Sequence, residues 1–293
     1  MGMTDDELPA FWRDLGVPGV FDVHAHFMPE RVLRKVWGYF DSAERGGYGR
    51  PWPITYRHDE DERLGRLRAL GARRFTALLY PHKPGMAAWL NGWAAEFAAR
   101  TPDAVHSATF HPEPSAARYV AEAIEAGARV FKAHVQVGDY DPRDRLLDPV
   151  WGLLSDAAVP VVVHCGSGPL PGRFTGIGPI SEVLARHPGL TLVIAHAGLP
   201  EYADFLALAE EHPRVYLDTT MVFTDFTEVT TPYPRELLPR LARLADRVLF
   251  GSDFPNIPHP YAHQVAALAG LGLGEEWLRS VVWDNAATLF GPS

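Results

Sequence analysis

Residues 161–166 read Val-Val-Val-His-Cys-Gly, residues 192–198 Leu-Val-Ile-Ala-His-Ala-Gly, and residues 248–254 Val-Leu-Phe-Gly-Ser-Asp-Phe. Each is a short apolar run broken near its end by one titratable residue. Runs of this kind read as strands buried on both faces, as in a parallel sheet. Working outward, the same pattern gives eight strands: 20–27, 74–80, 105–110, 129–135, 160–166, 190–198, 215–220 and 247–254. Helical patterns fall between them at 87–100, 115–126, 147–158, 180–187, 202–211, 235–245, 263–271 and 275–290, with Ser115 as a candidate N-cap. From the second strand on, starts recur about every 29 residues. A (β/α)8 barrel of roughly 250 residues needs about 31 per unit. The expected fold is therefore α/β, a TIM barrel in one domain over residues 1–293. The connection 28–73 is the exception: long, and rich in Gly, Pro and aromatics, it reads as a lid, an inserted subdomain or an oligomer contact.

Composition closes off several classes of function. Hydrophobic residues make up 47% and charged residues 22%, which excludes a disordered chain. No run approaches the ~20 apolar residues that cross a bilayer. A net charge of −9, with no block of Lys and Arg, argues against a nucleic-acid partner. Residues 1–8 are acidic and lack the basic-then-apolar pattern of a secretory signal. The single cysteine, Cys165, cannot form an internal disulfide, so a reducing cytoplasm is the expected compartment.

The polar residues that interrupt the strands carry the chemistry. In a parallel barrel the C-terminal strand ends form the active face. The first strand brings His24 and His26 there, the fourth Lys132 and His134, the fifth His164, the sixth His196 and the eighth Asp253. Residues two apart share a face of a strand, so His24 and His26 can reach one point. An unpaired polar group in an apolar strand costs several kcal/mol. A divalent cation satisfies several such groups at once, and imidazole with carboxylate suits zinc, then manganese or iron. A lone strand histidine is more often a hydrogen-bonded core residue. His187 and His212, each before a proline at the opposite strand end, are read that way, and His58, His259 and His263 as exposed. His82, His106, His111 and His134 stay open, with His82 and His111 placed to touch substrate.

The ordered motifs FDVHAHFMPE (21–30), VFKAHV (130–135), VVVHCG, LVIAHAG, FGSDFPN (250–256) and VVWDNAATLFG (281–291) resemble the amidohydrolase superfamily. The narrower likeness is to its family-two branch, which includes aminocarboxymuconate-semialdehyde decarboxylase and related hydrolases. That resemblance implies a distorted (β/α)8 barrel with a metal at its mouth, and a homodimer. It implies His24, His26, His164 and Asp253 as ligands of one ion, and His196 as the catalytic histidine. Lys132 matches the place where binuclear members carry a carbamylated, metal-bridging lysine, so two ions are implied if it is so modified. The decarboxylase itself lacks a lysine there, which sets this chain apart from it.

These parts suit attack of an activated water on a C–N or C–O bond of a small cyclic or carboxylated metabolite. Asp253 would move the proton and His196 would polarise the carbonyl or act as acid. They suit equally a carboxy-lyase acting on an aromatic or unsaturated acid. A barrel that binds metal or ligand without turnover is the reading from another class. Among loop residues, Arg173 could clamp a carboxylate or simply lie exposed. Phe27, Trp37 and Trp52 could cover a flat substrate or pack the lid itself. Gly166-Ser167-Gly168 is not a serine-hydrolase elbow, and the glycines of 166–178 lack the ending of a phosphate loop.

Overall fold

A computed structural model describes residues 2–291. Its strands are β1 (Val20–Asp22), β2 (Ala72–Thr76), β3 (Ala104–Val105), β4 (Ser107–Thr109), β5 (Val130–His134), β6 (Val161–His164), β7 (Leu192–Ile194), β8 (Val215–Asp218) and β9 (Val248–Leu249). The chain divides into two compact units, Met1–Phe75 with Asp218–Ser293, and Thr76–Leu217. Both are mixed α/β with parallel strand pairing, as the sequence predicts.

In the unit Thr76–Leu217, β4, β5, β6, β7 and β8 pair in sequence order, all parallel. Val161, Val162, Val163, Leu192, Val193 and Ile194 are wholly buried, which is why these strands show no polar alternation. Each such side chain contributes about 1.5–3 kcal/mol by leaving water. The register sets His134 opposite His164 and Lys132 opposite Val162. Helices α4 (Ala87–Arg100), α5 (Ala116–Glu125), α6 (Val135–Gly138), α7 (Asp148–Asp156), α8 (Ile177–Arg186) and α9 (Tyr202–Glu211) connect the strands. Ser115 does not cap α5. Its backbone is already helical (φ −87°, ψ −2°), so its hydroxyl is not turned toward the first-turn N–H groups.

In the other unit, β1 runs parallel to β2, with Asp22 opposite Phe75. Two helices occupy the connection 28–73, so it is not a bare loop. Helix α2 (Glu30–Asp41) buries Val32, Leu33 and Val36, and α3 (Glu60–Ala69) is capped by Asp59, which accepts from the Glu62 N–H at 2.8 Å. Before β1 lies α1 (Leu8–Leu15), closed by left-handed Gly16 and fastened by the Trp12 indole N–H to the Leu70 carbonyl at 2.8 Å. After β8 come α10 (Asp225–Glu228), α11 (Leu238–Arg243), α12 (Tyr261–Ala269), α13 (Glu275–Arg279) and α14 (Asn285–Phe290). The expected helix 275–290 is helical throughout, with a π-helical stretch at Ser280–Asp284 joining α13 to α14.

Every strand is shorter than its apolar run. Pairing stops where small residues let the chain turn: β7 ends at Ile194, and in the following turn His196 (φ 54°) and Ala197 (φ 50°) are left-handed. No helix among the described residues is long and apolar enough to cross a membrane.

Candidate metal centre

Strand β1 stops at Asp22, so simple strand alternation does not bring His24 and His26 together. Backbone bonds to the segment after β9 do so instead. Val23 N–H donates to the Phe250 carbonyl, Asp253 N–H to the His24 carbonyl, and His26 N–H to the Phe254 carbonyl. The two imidazoles end with ring centroids 5.1 Å apart at 69°. His26 Nε2 lies 2.9 Å from Asp253 Oδ1, and one donor atom from each of His24, His26 and Asp253 falls within 4.8 Å of the others. His24 and His26 are buried, and the Asp253 side chain keeps a small exposed edge.

Two observations bear on whether a divalent ion fits. Donors held about 2.0–2.2 Å from one ion stand roughly 3–4 Å apart; here one pair is at 2.9 Å, all three fall within 4.8 Å, and the composition is of the zinc type. Behind His24, the carboxylate of Asp218 lies 2.8 Å from Nδ1. A carboxylate only accepts, so Nδ1 carries the proton, and in the neutral imidazole Nε2 then keeps its lone pair. That tautomer is what a metal-binding histidine needs. The residues fit the ion.

Asp253 is held in a left-handed backbone (φ 73°), as is His196 in the other unit. Such strain in a non-glycine residue costs on the order of 1–3 kcal/mol and clusters at functional sites. Gly251 permits the approach, since a Cβ there would lie 2.1 Å from Thr220 Oγ1 and 2.7 Å from His24 Cβ. Asp22, fully buried, takes four hydrogen bonds beside these residues. Burial pushes its carboxyl up to about 6, while the bonds from Ser252, His24 and Tyr261 pull the other way.

The early aromatics pack rather than line open space. Phe27 is wholly buried against Phe75 and Phe254, and Trp52 against Phe40, Tyr48 and Phe226. Trp37 donates to Asn256 Oδ1 at 3.1 Å and Trp52 to the Asn256 carbonyl at 2.7 Å, while Asn256 N–H donates to the Asp253 carbonyl at 2.8 Å. The connection 28–73 is therefore fastened to the loop that bears Asp253.

The remaining expected residues stand in the unit Thr76–Leu217. The His134 and His164 rings stack at 4.1 Å and 12°, a direct result of their opposed register, and His196 meets His164 edge-on at 4.8 Å. His164 Nε2 lies 2.9 Å from the Gly168 carbonyl. Lys132 is wholly buried, and its own carbonyl accepts from Thr109 Oγ1 at 2.7 Å. Arg173 is exposed and lies over the ring of Phe174. His187 is bound to Asp148 at 3.0 Å, in keeping with a structural role.

His259 corrects an expectation: it is buried, because Nδ1 turns inward to the Pro260 carbonyl at 3.0 Å. Asp22, Asp218 and Asn256 were not singled out from sequence. Asp218 ends a largely buried Val-Tyr-Leu-Asp run, the same polar interruption of an apolar strand that marks His164.

The amidohydrolase family model Amidohydro_2 matches residues 21–291. The chain belongs to the amidohydrolase family. No curated protein matches this amidohydrolase in sequence. Among solved structures it is similar in fold to an uncharacterised TIM-barrel protein from Bordetella bronchiseptica, with 19% identity, TM-score 0.72, and 92% of this chain and 97% of that one covered. It is also similar to a protein from Pseudomonas putida named as a 2-pyrone-4,6-dicarboxylic acid hydrolase, with 18% identity, TM-score 0.61, and 93% and 97% covered. A third is 5-carboxyvanillate decarboxylase from Novosphingobium aromaticivorans, complexed with manganese and 4-hydroxy-3-methoxy-5-nitrobenzoic acid, with 15% identity, TM-score 0.65, and 92% and 95% covered. At these identities the likeness is one of fold, and the amidohydrolase has the fold of TIM-barrel proteins.

Proposed function

We propose that this amidohydrolase is a metal-dependent hydrolase that cleaves a C–N or C–O bond in a small cyclic or carboxylated metabolite. The observation that carries the reading is the buried His24–His26–Asp253 set, with Asp218 fixing the His24 tautomer. One divalent ion, zinc or manganese, would be held there. When bound, such an ion supplies Lewis acidity and makes water nucleophilic near neutral pH.

The chain's own groups do the rest. Asp253, the most exposed of the three, takes a proton from the attacking water and returns it to the leaving group. His24 and His26 would serve as ligands, the former oriented by Asp218. His164 as a further ligand and His196 as the histidine that polarises the substrate carbonyl enter from the order of the motifs alone.

A second reading has one observation in its favour. A fold relative is a decarboxylase with manganese and a nitrobenzoic acid bound. The same Asp253 could protonate a ring carbon before carbon dioxide leaves. Incubation with lactone, amide and aromatic-acid panels separates the two. Hydrolysis adds one water per turnover; carbon dioxide release without water addition overturns the hydrolase reading. Metal uptake with no turnover on any panel favours a barrel that only binds.

A further inference from the structure

Asp22 is a wholly buried carboxylate, and its four hydrogen bonds come from two segments near the proposed ligands and from one helix. Oδ1 accepts two main-chain N–H groups, from His24 and from Ser252, each at 3.1 Å. Oδ2 accepts two hydroxyls, Ser252 Oγ at 2.5 Å and Tyr261 Oη at 2.9 Å. His24 is itself in the donor set, and Ser252 precedes Asp253. One oxygen thus pins both ligand-bearing segments, which lie 230 residues apart in sequence.

Ser252 extends the hold. While its hydroxyl donates to Asp22, the same oxygen accepts from the Phe254 N–H at 2.9 Å. Asp253, whose backbone is left-handed, is thus bracketed from both sides. Tyr261 braces the hub from behind. It sits at the start of α12, where its N–H donates to Tyr56 Oη at 2.7 Å and the next N–H, of Ala262, to Asp5 Oδ1 at 2.9 Å. Tyr56 Oη in turn donates to Asp5. The brace therefore runs from Asp5 through Tyr56 and Tyr261 to Asp22.

We propose that Asp22 is a positioning residue for the metal centre, setting the distance between His24 and Asp253, with Tyr261 as its brace. The proposal rests on the metal-centre reading above. A carboxylate suits the place because it offers only acceptors to four donors. An asparagine amide would turn two of its N–H bonds toward groups that already donate. Groups that orient metal ligands in this way typically change affinity by about 10–100-fold when removed.

The test is the dissociation constant for Zn2+ and Mn2+, read by competition with a chromophoric chelator, alongside the melting temperature of the metal-free chain. Asp22→Asn is expected to weaken binding of both ions by about tenfold or more. Trp12→Phe, which removes the distant bond to Leu70, serves as control and is expected to lower the melting temperature at unchanged affinity. If Asp22→Asn does not fold, Ser252→Ala and Tyr261→Phe carry the test, each expected to weaken binding by a few-fold. Wild-type affinity in a folded Asp22→Asn, or in both hydroxyl variants, overturns the hub. A wild-type chain that binds neither ion overturns the metal centre itself, and the hub with it.

Discussion

The imidazole of His24 and the carboxylate of Asp218 meet at 2.8 Å, both almost wholly buried, although 194 residues separate them in sequence. This contact decides which nitrogen of His24 faces the proposed ion, and it makes the imidazole a stronger donor. Asp218→Asn keeps the shape but can present its amide N–H to Nδ1, which selects the wrong tautomer. Metal affinity is expected to fall by about 10–100-fold, measured by chelator competition. An unchanged constant would show that Asp218 only packs.

Gly251 is a steric prediction. A methyl group there meets Thr220 and the Cβ of His24 well inside contact distance. Gly251→Ala is expected to lose about 1–3 kcal/mol in denaturant unfolding, the usual cost of overpacking. Because the displaced atom belongs to His24, metal affinity should fall too. A destabilised variant with intact affinity would mean the strain is relieved toward Thr220.

His259 gives a pH dependence. Burial pushes its pKa down to about 4, from the ordinary 6.5, so between those values the unfolded chain binds the extra proton. The stability it contributes is complete above about pH 6.5 and is lost as pH falls toward 4. The amount at stake is on the order of 3 kcal/mol. His259→Gln removes the titration, so the wild-type advantage over the variant should shrink by that order between pH 7 and pH 4. A constant difference across this range would contradict the assignment.

For His196 the expectation is a split between chemistry and binding. His196→Asn should reduce kcat by about 10²-fold or more while metal content stays at the wild-type level. Loss of the ion together with activity would make it a ligand instead.

Much of this is legible in the sequence alone. His164, His196 and Asp253 interrupt runs that are otherwise wholly buried, and that mismatch marks them in the sequence. Asp218 carries the same mark in Val-Tyr-Leu-Asp, but aspartate at a strand end is so common before turns that the signal is easily passed over. Asp22 is hidden for a different reason: its role lies in accepting from Ser252 and Tyr261, more than 200 residues away, and no local pattern encodes that. Strand lengths were overread because apolar runs continue past the last ladder bond into turns such as Ala195–Gly198. Helix α2 in 28–73 is signalled by Val32, Leu33 and Val36 at helical spacing, a signal masked by the glycines and prolines that follow.

The account stands on an ion shared by His24, His26 and Asp253. Elemental analysis of the protein, loaded with zinc or manganese and dialysed, measures this directly. The account predicts about one ion per wild-type chain, and none in the folded His24→Ala/His26→Ala double variant. A wild-type chain that emerges without metal, or a double variant that keeps its full complement, would contradict it.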